Sequence, residues 1–266
     1  MLEDTCPQWL VQTNGVNIDQ ASAVASAIIA IGGSVIEVHA DSISNTLRFP
    51  NNDAPVGNDV IPYGSTLLVK LARKQSWTGV FYNDKFQTAA WSANRSDMLN
   101  AEQTILPASQ VGDYLKGFND DLPLFIRPAV EHKAFAGGCW SVSDLKTSIP
   151  TGRFGRYAYD IETLVAISPV VDILSETRWF VVNGVVVSGG IYRLRNTSVM
   201  IRETNPAAIA EAQNLADVWL PIPTCVMDLA TTPDGVKVVE FNCFNSSGFY
   251  NHDIEAVVKA ANRFVK

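Results

Sequence analysis

Asn183-Gly184 separates two strand-like runs, Arg178-Trp179-Phe180-Val181-Val182 and Val185-Val186-Val187, and it constrains the fold more than any other short stretch of the chain. β-Branched and aromatic residues favour extended backbone, and an Asn-Gly pair supplies the two positive-φ positions of a tight hairpin turn. The expected product is an antiparallel hairpin with Arg178 on one arm and Tyr192 and Arg193 just beyond the other. Period two puts Glu176, Arg178 and Phe180 on one face of the first arm and Thr177, Trp179 and Val181 on the other. An acid and one or two arginines inside apolar strands are costly unless something pairs with them. The partner is either an acid-base ladder across the sheet or a ligand.

A second hairpin follows near the C-terminus. Thr224 to Ala230 reads as a strand, Thr231 to Gly235 as a turn, and Gly235 to Phe244 as the returning strand. Val238, Glu240 and Asn242 then share one face, and Val239, Phe241 and Cys243 the other. A turn centred near Asp234 puts Asp228 opposite Glu240, whereas a shift of one residue separates them. Two carboxylates and an amide oxygen form the oxygen-only donor set that Mg²⁺ accepts together with substrate phosphates. Asp228, Glu240 and Asn242 are therefore read as metal ligands.

A third feature concerns phosphate. Leu124-Phe125-Ile126-Arg127-Pro128 is a strand ending in a base, and Lys133 and Gly137-Gly138 follow within a short loop. Glycines let backbone N–H groups approach oxygen atoms closely while Arg127 and Lys133 supply charge, which suits an oligophosphate. The plainer alternative is a hairpin turn with surface bases.

The remaining sequence bounds these readings. The chain has 266 residues, 47% hydrophobic and 18% charged, which fits a globular protein of one large or two modest domains. A formal net charge of -7 argues against a nucleic-acid partner, whose phosphates draw on surplus Lys and Arg. The first residues lack a basic run before an apolar core, and Ala21 to Val38 is interrupted by Ser, Gly and Glu, so neither a secretory signal nor a membrane span is expected. The four cysteines lack paired spacing, consistent with reduced thiols in a cytoplasm, and three histidines are too few for a multi-histidine metal site. Composition leaves the oligomeric state open.

Trp9 to Gln12 reads as a first strand, Asp19 as the cap of a helix ended by Gly32-Gly33, and Ser34 to His39 as a second strand, giving a small α/β unit. Asn51 to Pro62 reads as a loop and Gly64 to Leu71 as a strand. Trp77 to Trp91 is aromatic and irregular, Ala101 to Leu115 is helical in part and broken at Pro107, and Ile167 to Leu174 is strand-like.

Asp228 followed by Glu240-x-Asn242 on the return strand resembles the metal-binding hairpin of ATP-grasp enzymes. Leu124 to Pro128 is similar to the strand of that family whose terminal base, usually Lys before Pro, contacts the α-phosphate. Here Arg127 keeps the charge and changes the geometry. Lys133 to Gly138 resembles the glycine loop that closes over the phosphates, and Val171, Asp172 and Ile173 fall where the adenine hinge lies. Glu176 and Arg178 fall where the next strand begins. Arg178, Arg193 and Lys133 together resemble an ATP-grasp clade named for two arginines and one lysine, met often in bacterial and phage genomes.

The resemblance covers about Leu122 to Lys266, with Ile61 to Ser65 similar to the preceding region of the same clade. It implies an α+β fold, two lobes holding ATP between antiparallel sheets, preceded by a small α/β domain. The division expected is 1–116 for the N-terminal region and 117–266 for the ATP-grasp domain.

It further implies an ATP- and Mg²⁺-dependent ligase joining a small-molecule or peptide carboxylate to an amine through an acylphosphate. Arg127, Lys133, Gly137 and Gly138 would hold the phosphates, and Asp172 or Glu176 would accept from the ribose hydroxyls. Arg178 and Arg193 would orient the acceptor carboxylate or stabilise the tetrahedral intermediate. Two other readings stay open: phosphoryl transfer without ligation, and a non-catalytic nucleotide-binding interaction module.

Overall fold

Strand β1 (Gln8–Gln12) begins the structure, a computed structural model that describes residues 6–15, 18–129 and 134–265. Helix α1 (Ile18–Ala30) follows, burying Ala21, Val24 and Ile28 along one stripe. Asp19 lies inside the first turn of α1 rather than capping it, where a carboxylate still favours the positive end of the helix. Gly32, at φ +81°, ends the helix as its sequence predicts, with Gly33 N–H donating to Ile28 O at 2.9 Å. Next come β2 (Ser34–Asp41), β3 (Thr46–Arg48) and β4 (Val60–Tyr63). Their sheet has the order β3-β2-β1-β4, with β1 parallel to both β2 and β4.

The strand expected over Gly64 to Leu71 is not found there. It lies earlier, at β4, and helix α2 (Thr66–Ala72) occupies that stretch. Ser65 is the reason: its side chain caps the helix by accepting from Leu68 N–H at 3.3 Å, and Leu68, Val69, Leu71 and Ala72 are then buried on one side.

Helix α3 (Thr88–Asn94) starts within the stretch read as irregular. Strand β5 (Thr104–Pro107) and helix α4 (Val111–Tyr114) divide Ala101 to Leu115 at Pro107, so the residues before the proline are extended and the helical part follows it. Strands β6 (Pro123–Pro128) and β7 (Gly138–Ser141) precede α5 (Val142–Ser148), the short pair β8 (Arg153–Phe154) and β9 (Tyr157–Ala158), and β10 (Leu164–Pro169). The antiparallel order β5-β10-β6-β7 places β6 between β10 and β7. Strand character ends at Pro169, and 170–174 is irregular, which shortens the strand expected over Ile167 to Leu174.

Strand β11 (Ser175–Val182) and β12 (Val185–Leu194) form the Asn-Gly hairpin, with Asn183 at φ +51° and Gly184 at φ +78°. Tyr192 and Arg193 sit within β12 itself. Register shifts between Glu176 and Thr177 and between Phe180 and Val181 interrupt the even alternation expected along β11. Strand β13 (Thr197–Glu203) and helix α6 (Pro206–Val218) follow. β14 (Cys225–Thr232) and β15 (Gly235–Asn242) complete the sheet order β13-β12-β11-β14-β15, and α7 (Ile254–Val265) ends the chain. The turn between β14 and β15 is narrower than its composition implied, because both Thr232 and Gly235 belong to strands.

Two compact units result. One comprises Met1–Asn83, Ser175–Leu229 and Phe241–Lys266, and the other Asp84–Leu174 and Ala230–Glu240. The first is built on a core of Trp9, Val24, Ile61, Phe180, Phe244 and Val257, with Trp9 Nε1–H donating to Asn262 Oδ1 at 2.8 Å. The second packs Leu124, Ile126, Phe135, Leu145 and Val165. No helix among the described residues is long and apolar enough to cross a membrane.

Candidate active site

The first unit carries two ion pairs on its sheet. Arg178 on β11 reaches Asp228 on β14 with a planar fork: Nε donates to Oδ1 at 2.9 Å and Nη2 to Oδ2 at 2.7 Å. Their side chains are 11% and 2% exposed. Asn242 Nδ2 donates to Asp228 Oδ2 at 3.1 Å, which brings two of the three expected metal ligands together. Burial would lower the Arg178 pKa, but the charge and hydrogen bonds of Asp228 outweigh it and hold the guanidinium above the usual arginine value. Glu176, buried on β11, accepts from Tyr192 Oη and from Arg193 Nη1, both at 2.6 Å. The Arg178 guanidinium also lies against two rings, 5.9 Å from the Tyr192 centroid and 5.0 Å from that of Tyr250. Burial and the nearby carboxylates of Asp228 and Glu176 push the Tyr192 phenol far up, so it stays protonated and donates.

The second unit holds the remaining charged residues. Arg127, near the end of β6, directs Nη1 to Glu240 Oε2 at 3.3 Å and Nη2 to Thr88 Oγ1 at 3.4 Å, with the Trp91 ring 5.6 Å from its guanidinium carbon. Its side chain is 12% exposed, and its buried Nε has no hydrogen-bond partner among the described residues. Burial lowers the Arg127 pKa, and Glu240 opposes that. Gly137 lies against this arginine: a Cβ there would come within 3.0 Å of Arg127 Cβ and 3.1 Å of the Phe125 ring. Gly138 begins β7 and pairs with Ile126. Both glycines thus flank the Arg127 strand, and close packing accounts for glycine at 137.

Lys133 lies outside the described residues. Val171, Asp172 and Ile173 lie in the irregular segment after β10, with Asp172 exposed. Thr88 and Trp91 beside Arg127, and Tyr250 beside Arg178, escaped sequence reasoning because each meets its arginine across a long stretch of chain. The run Thr88-Ala89-Ala90-Trp91 carried a usable helical signal.

Among the described residues no cluster of three or more His, Cys, Asp or Glu could hold a metal ion. Mg²⁺ needs none, since it binds through one or two carboxylates plus substrate phosphates and keeps its waters. Asp228, Glu240 and Asn242 each carry side-chain oxygens of the kind that demand requires, and in the first unit the Asn242 amide nitrogen is turned to Asp228.

His252 gives the first unit a pH dependence. Its Nδ1 lies 3.2 Å from Ser188 Oγ, its Nε2 is buried without a partner among the described residues, and Phe180 meets the ring edge-on at 4.9 Å. Burial, aided by the charge of Arg178, lowers its pKa to about 3. The unfolded chain takes up this proton near pH 6.5, and the folded chain only near 3, so stability falls as pH drops through that window. Urea unfolding at pH 7 and pH 5 is expected to show a loss of about 2 kcal/mol from this group, at roughly 1.36 kcal/mol per pH unit. His252→Asn should remove that part of the slope. An unchanged slope would contradict the assignment.

Antiparallel sheets joined with helices, and arginines paired with acids on their strands, define an α+β protein with a charged candidate site. The chain belongs to the ATP-grasp family: the model for the ATP-grasp domain of family 3 in the clade named for two arginines and one lysine matches residues 66–261. Among solved structures it resembles the D-cycloserine synthetase DcsG, with a TM-score of 0.58 at 13% identity, covering 97% of this chain and 99% of that one. A RimK domain ATP-grasp protein from Sphaerobacter thermophilus gives 0.60 at 12% identity, covering 97% and 99%. The ATP-grasp ligase PsnB, complexed with precursor peptide PsnA2 and AMPPNP, gives 0.59 at 12% identity, covering 100% and 99%. At these identities the likeness is one of fold. No curated protein is significantly similar to the chain in sequence.

Proposed function

We propose that the protein is an ATP- and Mg²⁺-dependent carboxylate-amine ligase that forms an amide or peptide bond through an acylphosphate. One observation carries this reading: Arg127, Arg178 and Arg193 are each held by a carboxylate on or beside a strand, Glu240, Asp228 and Glu176 respectively. Ion pairs with largely buried members, Arg178–Asp228 above all, are poor stabilising devices, because desolvation offsets most of their attraction. Their retention inside sheets is better explained by a charged ligand than by folding.

In this reading Arg127 and Lys133 hold the phosphates, with the Arg127 Nε, which has no hydrogen-bond partner among the described residues, as a donor suited to a phosphate oxygen. Val171, Asp172 and Ile173 border the adenine, and Asp172 or Glu176 takes the ribose hydroxyls. Gly137 and Gly138 keep the backbone near the phosphates free of side chains. Asp228, Glu240 and Asn242 would hold Mg²⁺, which would supply positive charge to offset that of the phosphates. A substrate carboxylate oxygen attacks the γ-phosphorus, and the bond to the bridging oxygen breaks as ADP leaves. An unprotonated amine then attacks the acyl carbon, phosphate departs, and the nitrogen gives up a proton.

Arg178 is committed to Asp228 through both arms of its fork, so it acts as a positioning residue that fixes that carboxylate. Arg193, 50% exposed with Nη1 on Glu176, has further N–H donors for a substrate carboxylate or for the oxyanion that develops from it. Structures of PsnB are complexed with precursor peptide PsnA2 and AMPPNP, and with a minimal precursor, Mg and ADP, which supports this cofactor pair and a peptide as one class of substrate.

Arg193→Ala tests the division of labour. ATP affinity measured by titration calorimetry should stay within about twofold, while product formation falls by about 10²-fold or more, the usual effect of losing one oxyanion donor. Weaker ATP binding with unaltered turnover at saturation would contradict the substrate role.

A further inference from the structure

Tyr250 has a backbone φ of +44°, in the left-handed region that a bulky side chain avoids. The loop around it is tied down on both sides. Asn245 Nδ2 donates to Pro62 O at 2.7 Å and to Gly79 O at 2.8 Å, and Tyr63 Oη donates to Ser247 O at 3.1 Å. Beyond Tyr250, Asn251 Nδ2 donates to Met200 O at 3.3 Å, Arg202 Nη2 to His252 O at 3.2 Å, and Asp253 N–H to Ser188 Oγ at 3.0 Å. Surroundings that over-determine a strained residue mark a site where its placement matters.

The placement puts a ring beside the charged groups. Tyr250 is 41% exposed, and its centroid lies 6.0 Å from that of Tyr192. Tyr192 Oη is bonded to Glu176, and Glu176 to Arg193, so an aromatic surface continues into a half-exposed guanidinium. The pair of rings already faces the Arg178 cation, which disfavours a second cation there and favours an uncharged planar group.

We propose that Tyr250 is a specificity-determining residue, which with Tyr192 selects a carboxylate substrate bearing a planar, uncharged group, such as the C-terminal aromatic residue of a peptide. The inference rests on the proposed role of Arg193 in holding the carboxylate. Asparagine at 250 tolerates the same φ without a ring, so Tyr250→Asn should keep or raise the Tm while removing the aromatic surface.

The probes are N-acetyl-L-phenylalanine, its amide, and N-acetylglycine, titrated calorimetrically against the full chain without nucleotide. The wild type should bind the phenyl-bearing acid about tenfold more tightly than the other two, as one stacked ring and one charge-assisted bond imply. Tyr250→Asn should bind both acids alike, and Tyr250→Phe should behave as wild type. No preference for the phenyl-bearing acid in the wild type, or a preference that survives in Tyr250→Asn, would overturn the proposal. Loss of the preference in Tyr250→Phe would also overturn it. The ligase reading fails separately: phenyl-selective binding with no ADP release under any acid and amine pair would leave the selection standing and remove the reaction. Amine-dependent ADP release with no ring preference would do the reverse.

Discussion

Glu240→Gln is expected to lower Mg²⁺-dependent ATP turnover at least about 100-fold, because the proposed metal ligand would contribute to several kcal/mol of charge stabilisation at the transferring phosphoryl group. The amide keeps the size of the side chain and removes the charge that a hard cation prefers. The fold should survive the change. Glu240 is partly exposed, and its 3.3 Å pair with Arg127 is long, so the stability lost is about 1 kcal/mol or less. Steady-state ADP formation against Mg²⁺ concentration, with circular dichroism as the control for folding, separates the two effects. Unchanged turnover with an intact fold would remove Glu240 from the metal site.

Arg178→Ala produces the largest stability effect. It takes from the Asp228 carboxylate, 2% exposed, the forked cation that neutralises it, and the 3.1 Å bond from the Asn242 amide carries no compensating charge. Breaking a buried pair by removing one member typically destabilises by about 3–5 kcal/mol. For a chain of this size that corresponds to a fall in Tm of roughly 10 °C. A double variant, Arg178→Met with Asp228→Asn, removes both charges and should be less destabilised than the single alanine variant. Should Arg178→Ala melt within about 1 °C of wild type, the ion pair would not be the buried element described here.

What was legible in the sequence was local. The Asn183-Gly184 turn, the stop at Gly32-Gly33 and the strand at Leu124 to Pro128 each follow from residues within a few positions of one another. The apolar run from Gly64 to Leu71 suits either a strand or a buried helix, and the Ser65 cap decides for the helix. Charged residues were recognisable as candidates because each interrupts an apolar strand. Their partners were not: Arg178 meets Asp228 across 50 residues, and Arg127 meets Glu240 across 113. Such pairings depend on strand order and register, including the two shifts along β11, which periodicity alone does not encode.

The acid that prompts the metal reading, Glu240, therefore already has a cationic partner, Arg127, within its own unit. A carboxylate paired with the proposed phosphate-binding arginine is consistent with the proposed site for Mg²⁺ and ATP.

The most direct test of the ligase reading is ADP release from Mg-ATP across a matrix of amino acids and short peptides, each supplied as acid alone, amine alone and the pair. The account predicts ADP and inorganic phosphate in equal amounts only where a carboxylate and an amine are both present. ADP formed at the same rate with the acid alone, and unaffected by any amine, would contradict amide formation and indicate phosphoryl transfer that stops at the phosphorylated product.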